Sequence, residues 1–262
     1  MFIPLHDANH LKHIKAQYVT MALIAINFLV FVAVNLEIVP GTYEAAVFSL
    51  GYIPAVFNDF AELPPESVLI PEGLSLVSYS FLHADFMHVA SNMLFLWVFG
   101  DNVEDALGHI RFVIFFFLCA AAGALGHGLL HPQSTAPLIG ASGAVSGVIG
   151  AYLILHPKVL VWVLAFGRVP LRLPAFVPLL LWIGYQMAAI FLFADEDVSW
   201  GAHVGGFAAG VILVFLLKRR AVPLFDRRIT LPRSVEVAEG SPPPLPYSPP
   251  EPEPNPQPWG RG

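Results

Sequence analysis

Three short segments carry side chains able to do chemistry. The first is Gly140-Ala141-Ser142-Gly143-Ala144-Val145-Ser146-Gly147. A nucleophilic serine needs open space, because a peptide backbone must come close to its hydroxyl, and glycine leaves that space. A helix that starts at this point has free N–H groups and a positive dipole end, the donors an oxyanion requires. The plain alternative is packing, since Gly143-xxx-Gly147 is a small-xxx-small pattern of the kind found where membrane helices touch. The segment alone favours packing.

The second segment is His88-Val89-Ala90-Ser91-Asn92. Four residues of separation put His88 and Asn92 on one helix face, where both offer hydrogen-bond donors. An amide donor suits a developing oxyanion, although bonds between helices are the commoner use of such a pair. The third is Ala202-His203-Val204-Gly205-Gly206. Imidazole is the usual base for a serine hydroxyl, and the glycines let this helix approach a neighbour closely.

The elements that must position these groups are membrane helices. The chain has 262 residues, of which 56% are hydrophobic and only 12% charged, with a mean hydropathy of +0.67. Soluble domains carry roughly 25% charged residues. Six apolar stretches approach the roughly 20 residues that span a bilayer: about 18–39, 80–100, 111–130, 138–156, 175–193 and 200–217. Lipid leaves no partner for unpaired backbone groups, so each is expected to be a helix and the fold all-α. The first stretch reads as a retained signal anchor rather than a cleaved signal.

Basic residues set the orientation. All 13 fall on one side of a six-span arrangement: Lys12 and Lys15, Arg111, Lys158, Arg168 and Arg172, and the seven from Lys218 onward. The alternate loops hold only acids, including Glu44, Asp59, Glu62, Glu66 and Glu72, then Asp195, Glu196 and Asp197. The positive-inside rule places both termini in the cytoplasm. Residues 1–17 read as a cytoplasmic segment and 18–218 as the membrane domain. Its first outer loop, 40–76, is long and apolar enough to lie in the interface. Residues 219–262 end in a Pro-rich tail that cannot bury a core.

In this topology Ser142 and His203 fall near the same outer depth, with His88 and Asn92 close by. No Asp or Glu in these spans is placed to complete a triad, so a dyad is the serine mechanism available. A net charge of −6, spread over separate loops, gives no reason to expect nucleic acid. The lone Cys119 reads as a buried structural thiol, because one cysteine forms no intrachain disulfide. His-Glu-x-x-His is absent from the sequence, no pair of intramembrane carboxylates suits an aspartyl protease, and no repeat between halves suggests a transporter.

The same segments resemble the rhomboid family of intramembrane serine proteases in its bacterial six-helix form. The likeness runs through Phe81-Leu82-His83-Ala84-Asp85 to Asn92, Phe99-Gly100-Asp101-Asn102-Val103-Glu104-Asp105, Gly140-Ala141-Ser142-Gly143 and Ala202-His203-Val204-Gly205. It implies a six-helix bundle in a bacterial plasma membrane that cleaves single-span membrane proteins, with neither metal nor organic cofactor. Ser142 would be the nucleophile and His203 its base. His88, Asn92 and the Ser142 amide would form the oxyanion hole, supported by Gly140, Gly143 and Gly205. A catalytically silent membrane scaffold of the same fold is the alternative. Two positions depart from the family pattern. Ser146 stands where some members place a tyrosine against the histidine, and Leu74-Ser75 where some have Trp-Arg. The acids of residues 101–105 are expected in a cytoplasmic turn, capping a helix or pairing with Arg111. His83 is expected to make a structural hydrogen bond.

Overall fold

A computed structural model describes residues 2–37, 39–165, 167–192 and 199–226. The acids at 195–197 and the tail from residue 227 lie outside the described residues.

Each of the six apolar stretches contains a helix: α1 (Tyr18–Asn35), α5 (Phe86–Leu107), α6 (His109–Leu130), α7 (Ser142–Leu155), α8 (Phe176–Leu192) and α9 (Trp200–Leu217). By length and composition, α1, α6 and α9 are long and apolar enough to cross a membrane, while α7 and α8 are shorter apolar helices. Their outer faces carry exposed Leu29, Ile110, Leu118, Leu129, Leu181, Phe191, Ile212 and Leu216. So much solvent-facing apolar surface marks an integral membrane protein.

The second helix departs from the expected boundaries at both ends. Asp85 is its N-cap, accepting the His88 backbone N–H at 2.9 Å, so the helix opens at Phe86. It runs past Gly100 to Leu107, where Gly108 turns the chain at φ +88°. The acids of 101–105 therefore sit in the last turns of α5, not in a loop, and what they bind explains how α5 extends so far. Buried Glu104 accepts the backbone N–H groups of Val19 (3.0 Å) and Thr20 (2.8 Å), the Thr20 hydroxyl (2.7 Å) and His109 Nδ1 (2.5 Å). It caps α1 from another helix. Asp105 accepts the N–H groups of Lys12, His13 and Ile14 at 3.0, 2.6 and 2.7 Å. Arg111 bonds instead to the Leu217 carbonyl, at 3.2 Å.

The fold is mostly helical, as expected, but it is not purely α, because a three-stranded antiparallel sheet accompanies the helices. Strand β1 (Phe2–Asp7) pairs with β2 (Leu160–Ala165), which pairs with β3 (Val169–Pro174). In β2 the residues Val161, Val163 and Ala165 are buried in alternation. That period of two is the signature of a half-buried strand, hidden in the sequence inside a continuous apolar run. Asp7 fixes the end of β1 to the bundle. Its carboxylate accepts Asn102 Nδ2 of α5 at 2.9 Å and the Tyr152 hydroxyl of α7 at 2.7 Å.

The segment between α1 and α5 holds α2 (Thr42–Leu50), α3 (Pro54–Phe57) and α4 (Glu72–Ser78). Tyr52 and Leu138 exchange backbone hydrogen bonds at 3.1 and 2.8 Å, tying this loop to the segment before α7. Helix α7 is the interior of the bundle. Nearly all of it is buried, from Gly143 through Tyr152.

Candidate active site

Ser142 is the first residue of α7, and the turn before it depends on glycine. Gly140 has φ +115°, a conformation other residues rarely adopt. A Cβ on Gly140 would come within 2.6 Å of His88 Nε2, so the imidazole lies directly against this loop. The loop is held from two sides. The Gly140 N–H donates to the Tyr79 carbonyl at 3.0 Å, and the Ala141 N–H donates to His83 Nε2 at 3.3 Å. His83 thus makes the structural hydrogen bond expected of it.

The first bond within α7 runs from the Val145 N–H to the Ala141 carbonyl at 2.9 Å. The amides of Ser142, Gly143 and Ala144 precede it and have no helical acceptor. Ser142 itself is half-buried.

His88 lies in the first turn of α5. Its Nδ1 accepts the Ala84 N–H at 3.4 Å. In a neutral ring the proton then sits on Nε2, the edge that faces Gly140. Asn92, one turn on, is 6% exposed and donates one amide hydrogen to the His88 carbonyl at 3.0 Å. Its second amide hydrogen is not used in that bond.

His203 lies in the first turn of α9, and α9 meets α7 backbone to backbone. A Cβ on Gly206 would run into the Gly143 carbonyl, and one on Gly210 into Gly147. The small-xxx-small pattern of α7 therefore does pack, against a matching Gly206-xxx-Gly210 on α9. Gly143 also abuts the Ala202 carbonyl, which lies 3.5 Å from where its Cβ would stand. This packing does not exclude a chemical role, because the contact sets the ends bearing Ser142 and His203 side by side. Gly205 faces elsewhere, against Ala122 and Gly126 of α6.

The starts of α5, α7 and α9 thus converge, and three positive dipole ends favour negative charge at this point. Among the described residues no hydrogen bond joins the Ser142 hydroxyl to His203. The His203 ring bonds through Nδ1 to Oε1 of Gln186 at 3.0 Å and lies between Trp182 (centroids 6.0 Å apart) and Trp200 (6.2 Å). Ser146 plays no part in holding it. Its hydroxyl donates to the Ser142 carbonyl at 2.6 Å, back along its own helix.

Gln186, Trp182 and Tyr79 are the residues sequence reasoning did not single out. Tyr79 is fully buried, and its hydroxyl donates to the Ala120 carbonyl at 2.8 Å beside Gly143. An amide inside the apolar stretch 175–193 was the available signal for Gln186. Polar groups in a membrane span are costly and seldom idle.

Two further histidine groups have contacts of their own. His127 Nδ1 bonds to Ser199 Oγ at 2.6 Å, with the His131 ring 5.3 Å away. His156 caps the far end of α7, about 20 Å from Ser142 for a helix of this length.

Residues 71–220 match the family model described as Rhomboid domain. The chain is also similar to rhomboid protein 1, mitochondrial, of Saccharomyces cerevisiae, with 28% identity over 71% of this chain and 54% of the relative. The RHOMBOID-like protein 5 of Arabidopsis thaliana shares 31% identity over 59% of this chain and 48% of the relative. The Bacillus subtilis rhomboid protease candidate YdcA shares 26% over 66% and 88%. The chain thus spans about half the length of the first two and most of the third.

Proposed function

The chain belongs to the rhomboid family, and from that premise we propose that it is an intramembrane serine endopeptidase working through a Ser142–His203 dyad. One observation carries the reading. The α7–α9 glycine contact puts a serine at a helix start beside a helix start bearing an imidazole whose Nδ1 is already engaged.

The chemistry follows from the groups present. Nε2 of His203 takes the Ser142 proton as the hydroxyl oxygen attacks a carbonyl carbon of the substrate. The carbonyl oxygen becomes an oxyanion, received by the Ser142 N–H, His88 Nε2–H and the second amide hydrogen of Asn92. Each such donor is worth about 3 kcal/mol in serine proteases. The imidazolium returns its proton to the leaving amine, and the C–N bond breaks. Water then hydrolyses the acyl-enzyme with the same histidine as base. A helical carbonyl is hydrogen-bonded and shielded, so the substrate helix must unwind where it is cut, and small or helix-breaking residues favour that. Substrates are single-span membrane proteins that enter from the bilayer.

The same reading takes all six long helices as spans of a membrane domain covering residues 18–218. Both termini lie on the cytoplasmic side of a plasma membrane, bacterial in the six-helix form this chain resembles, with residues 219–262 as its tail. The orientation rests on the charge partition.

The test is cleavage of a single-span substrate in proteoliposomes by wild-type protein and by Ser142→Ala. Loss of cleavage is expected. Equal cleavage overturns the assignment and leaves the silent scaffold as the better description. Labelling by a serine-directed phosphonate should vanish in Ser142→Ala and persist in Ser146→Ala.

A further inference from the structure

A serine protease base needs its Nδ1–H held, so that Nε2 presents its lone pair to the serine. Carboxylates usually do this. We propose that in this chain the neutral amide of Gln186 does it instead, as the positioning residue that sets the tautomer and orientation of His203. The inference rests on reading Ser142 and His203 as nucleophile and base.

Gln186 lies on α8 and is 5% exposed. With Leu179 and Ile183 it belongs to the buried stripe of a helix whose other faces carry exposed Leu180, Leu181, Tyr185 and Met187. Burying an amide in such a helix costs free energy unless its polar atoms find partners. Its Oε1 finds Nδ1 of His203 at 3.0 Å.

That oxygen carries only lone pairs, so Nδ1 must hold the hydrogen and a neutral ring keeps its second lone pair on Nε2. Trp182 lies one turn before Gln186, and its ring is tilted 36° to the imidazole. Trp200 approaches the ring edge-on at 82°. The hydrogen bond sets the tautomer, and the two indoles restrict the tilt of the ring. Ser146 cannot substitute, since its hydroxyl is bonded to the Ser142 carbonyl.

A neutral acceptor has a kinetic consequence. The imidazolium that forms during attack is stabilised by an amide dipole rather than a full negative charge. Removing the acceptor should therefore cost less than the roughly 10⁴-fold loss seen when a serine protease's carboxylate is replaced and the wrong tautomer results.

The experiment measures kcat and KM against pH in proteoliposomes for wild type, Gln186→Leu and Gln186→Glu, with Ser142→Ala as the blank. Gln186→Leu should lower kcat roughly tenfold to a hundredfold, the range seen when the partner orienting a metal-ligating histidine is removed, with KM nearly unchanged. Gln186→Glu should recover much of that loss, because it restores the acceptor. Its added negative charge should favour the imidazolium and move the acidic limb of the profile up by about one pH unit. A merely structural glutamine gives the opposite order, since a buried charge packs worse than leucine. Wild-type kcat in Gln186→Leu, or Gln186→Glu as impaired as Gln186→Leu with an unmoved limb, overturns the proposal.

A second readout does not depend on turnover. Nitrogen-15 spectra of the histidines, with His203 assigned by its absence in His203→Asn, should show Nδ1 protonated in wild type and a mixture in Gln186→Leu. A proton on Nε2 in wild type refutes the inference even if Ser142 proves catalytic. An inactive wild type with Nδ1 protonated sinks the protease reading and leaves the hydrogen bond standing.

Discussion

Gly206 offers the most direct test of whether helix packing sets the proposed chemistry. A methyl group added there would lie 2.7 Å from the Gly143 carbonyl carbon and 3.2 Å from its Cα. Carbon atoms rest at about 3.5 Å or more, so the shortfall at the carbonyl carbon is about 0.8 Å. The obstructing atoms are backbone, with no flexible side chain to swing aside. The carbonyl oxygen lies closer still, so helices α7 and α9 must part by at least about 0.8 Å, and Ser142 and His203 part with them. A displacement of that size costs about a hundredfold in rate, equivalent to about 2.7 kcal/mol of barrier. Overpacking should also lower stability by about 1–3 kcal/mol.

The assay compares kcat/KM on a single-span substrate for wild type and Gly206→Ala, with detergent melting recorded in parallel. Gly184→Ala is the control, because nothing lies within 4 Å of its added Cβ. It should keep full activity and melt no lower than wild type. If Gly206→Ala cleaves at the wild-type rate, the α7–α9 contact does not set the dyad and the reasoning fails.

Two other predictions concern the end of the bundle away from Ser142. Glu104→Ala leaves the Val19 and Thr20 amides at the start of α1 without their acceptor, and should cost about 2–5 kcal/mol on denaturant titration. Burial raises the carboxyl of Asp7 from 3.8 to about 6, against the lowering effect of its bond from Tyr152. A raised carboxyl binds its proton more tightly in the folded state, so its contribution is full below about pH 3.8 and is lost as pH rises through about 6. Melting temperature should fall across that window. Asp7→Asn keeps an acceptor for Asn102 and Tyr152 and should flatten the fall, and an unchanged slope would refute the assignment to Asp7.

The helices of this protein were legible because lipid imposes one rule on every apolar stretch. All six stretches hold helices, and α9 starts and ends where hydropathy placed it. The widest boundary difference is that of α5, where Asp85 and Gly108 act through cap geometry rather than hydropathy. The sheet was missed for a related reason. The alternation in Leu160–Ala165 is visible only as alternate burial, since both faces of the strand are apolar in sequence. The acids of α5 looked like loop residues because their partners, the amides of residues 12–14 and 19–20, lie more than 80 positions away.

Ser142, His203, His88 and Asn92 could be named from sequence because each is a polar residue set in an apolar stretch, and the cost of burying such groups singles them out. Sequence also supplied the glycines. It could not say that Gly143 would meet Gly206, or that Gln186 on α8 would face the imidazole. Those are contacts between helices, decided by the rotation and depth of each within the bundle. Pairwise packing sets rotation and depth, and no local pattern encodes it. Residue type alone made Ser142 a candidate for packing or for catalysis. The tertiary structure shows the packing, and the same glycine contact brings the starting residues of α7 and α9 together, the geometry on which the proposed dyad rests.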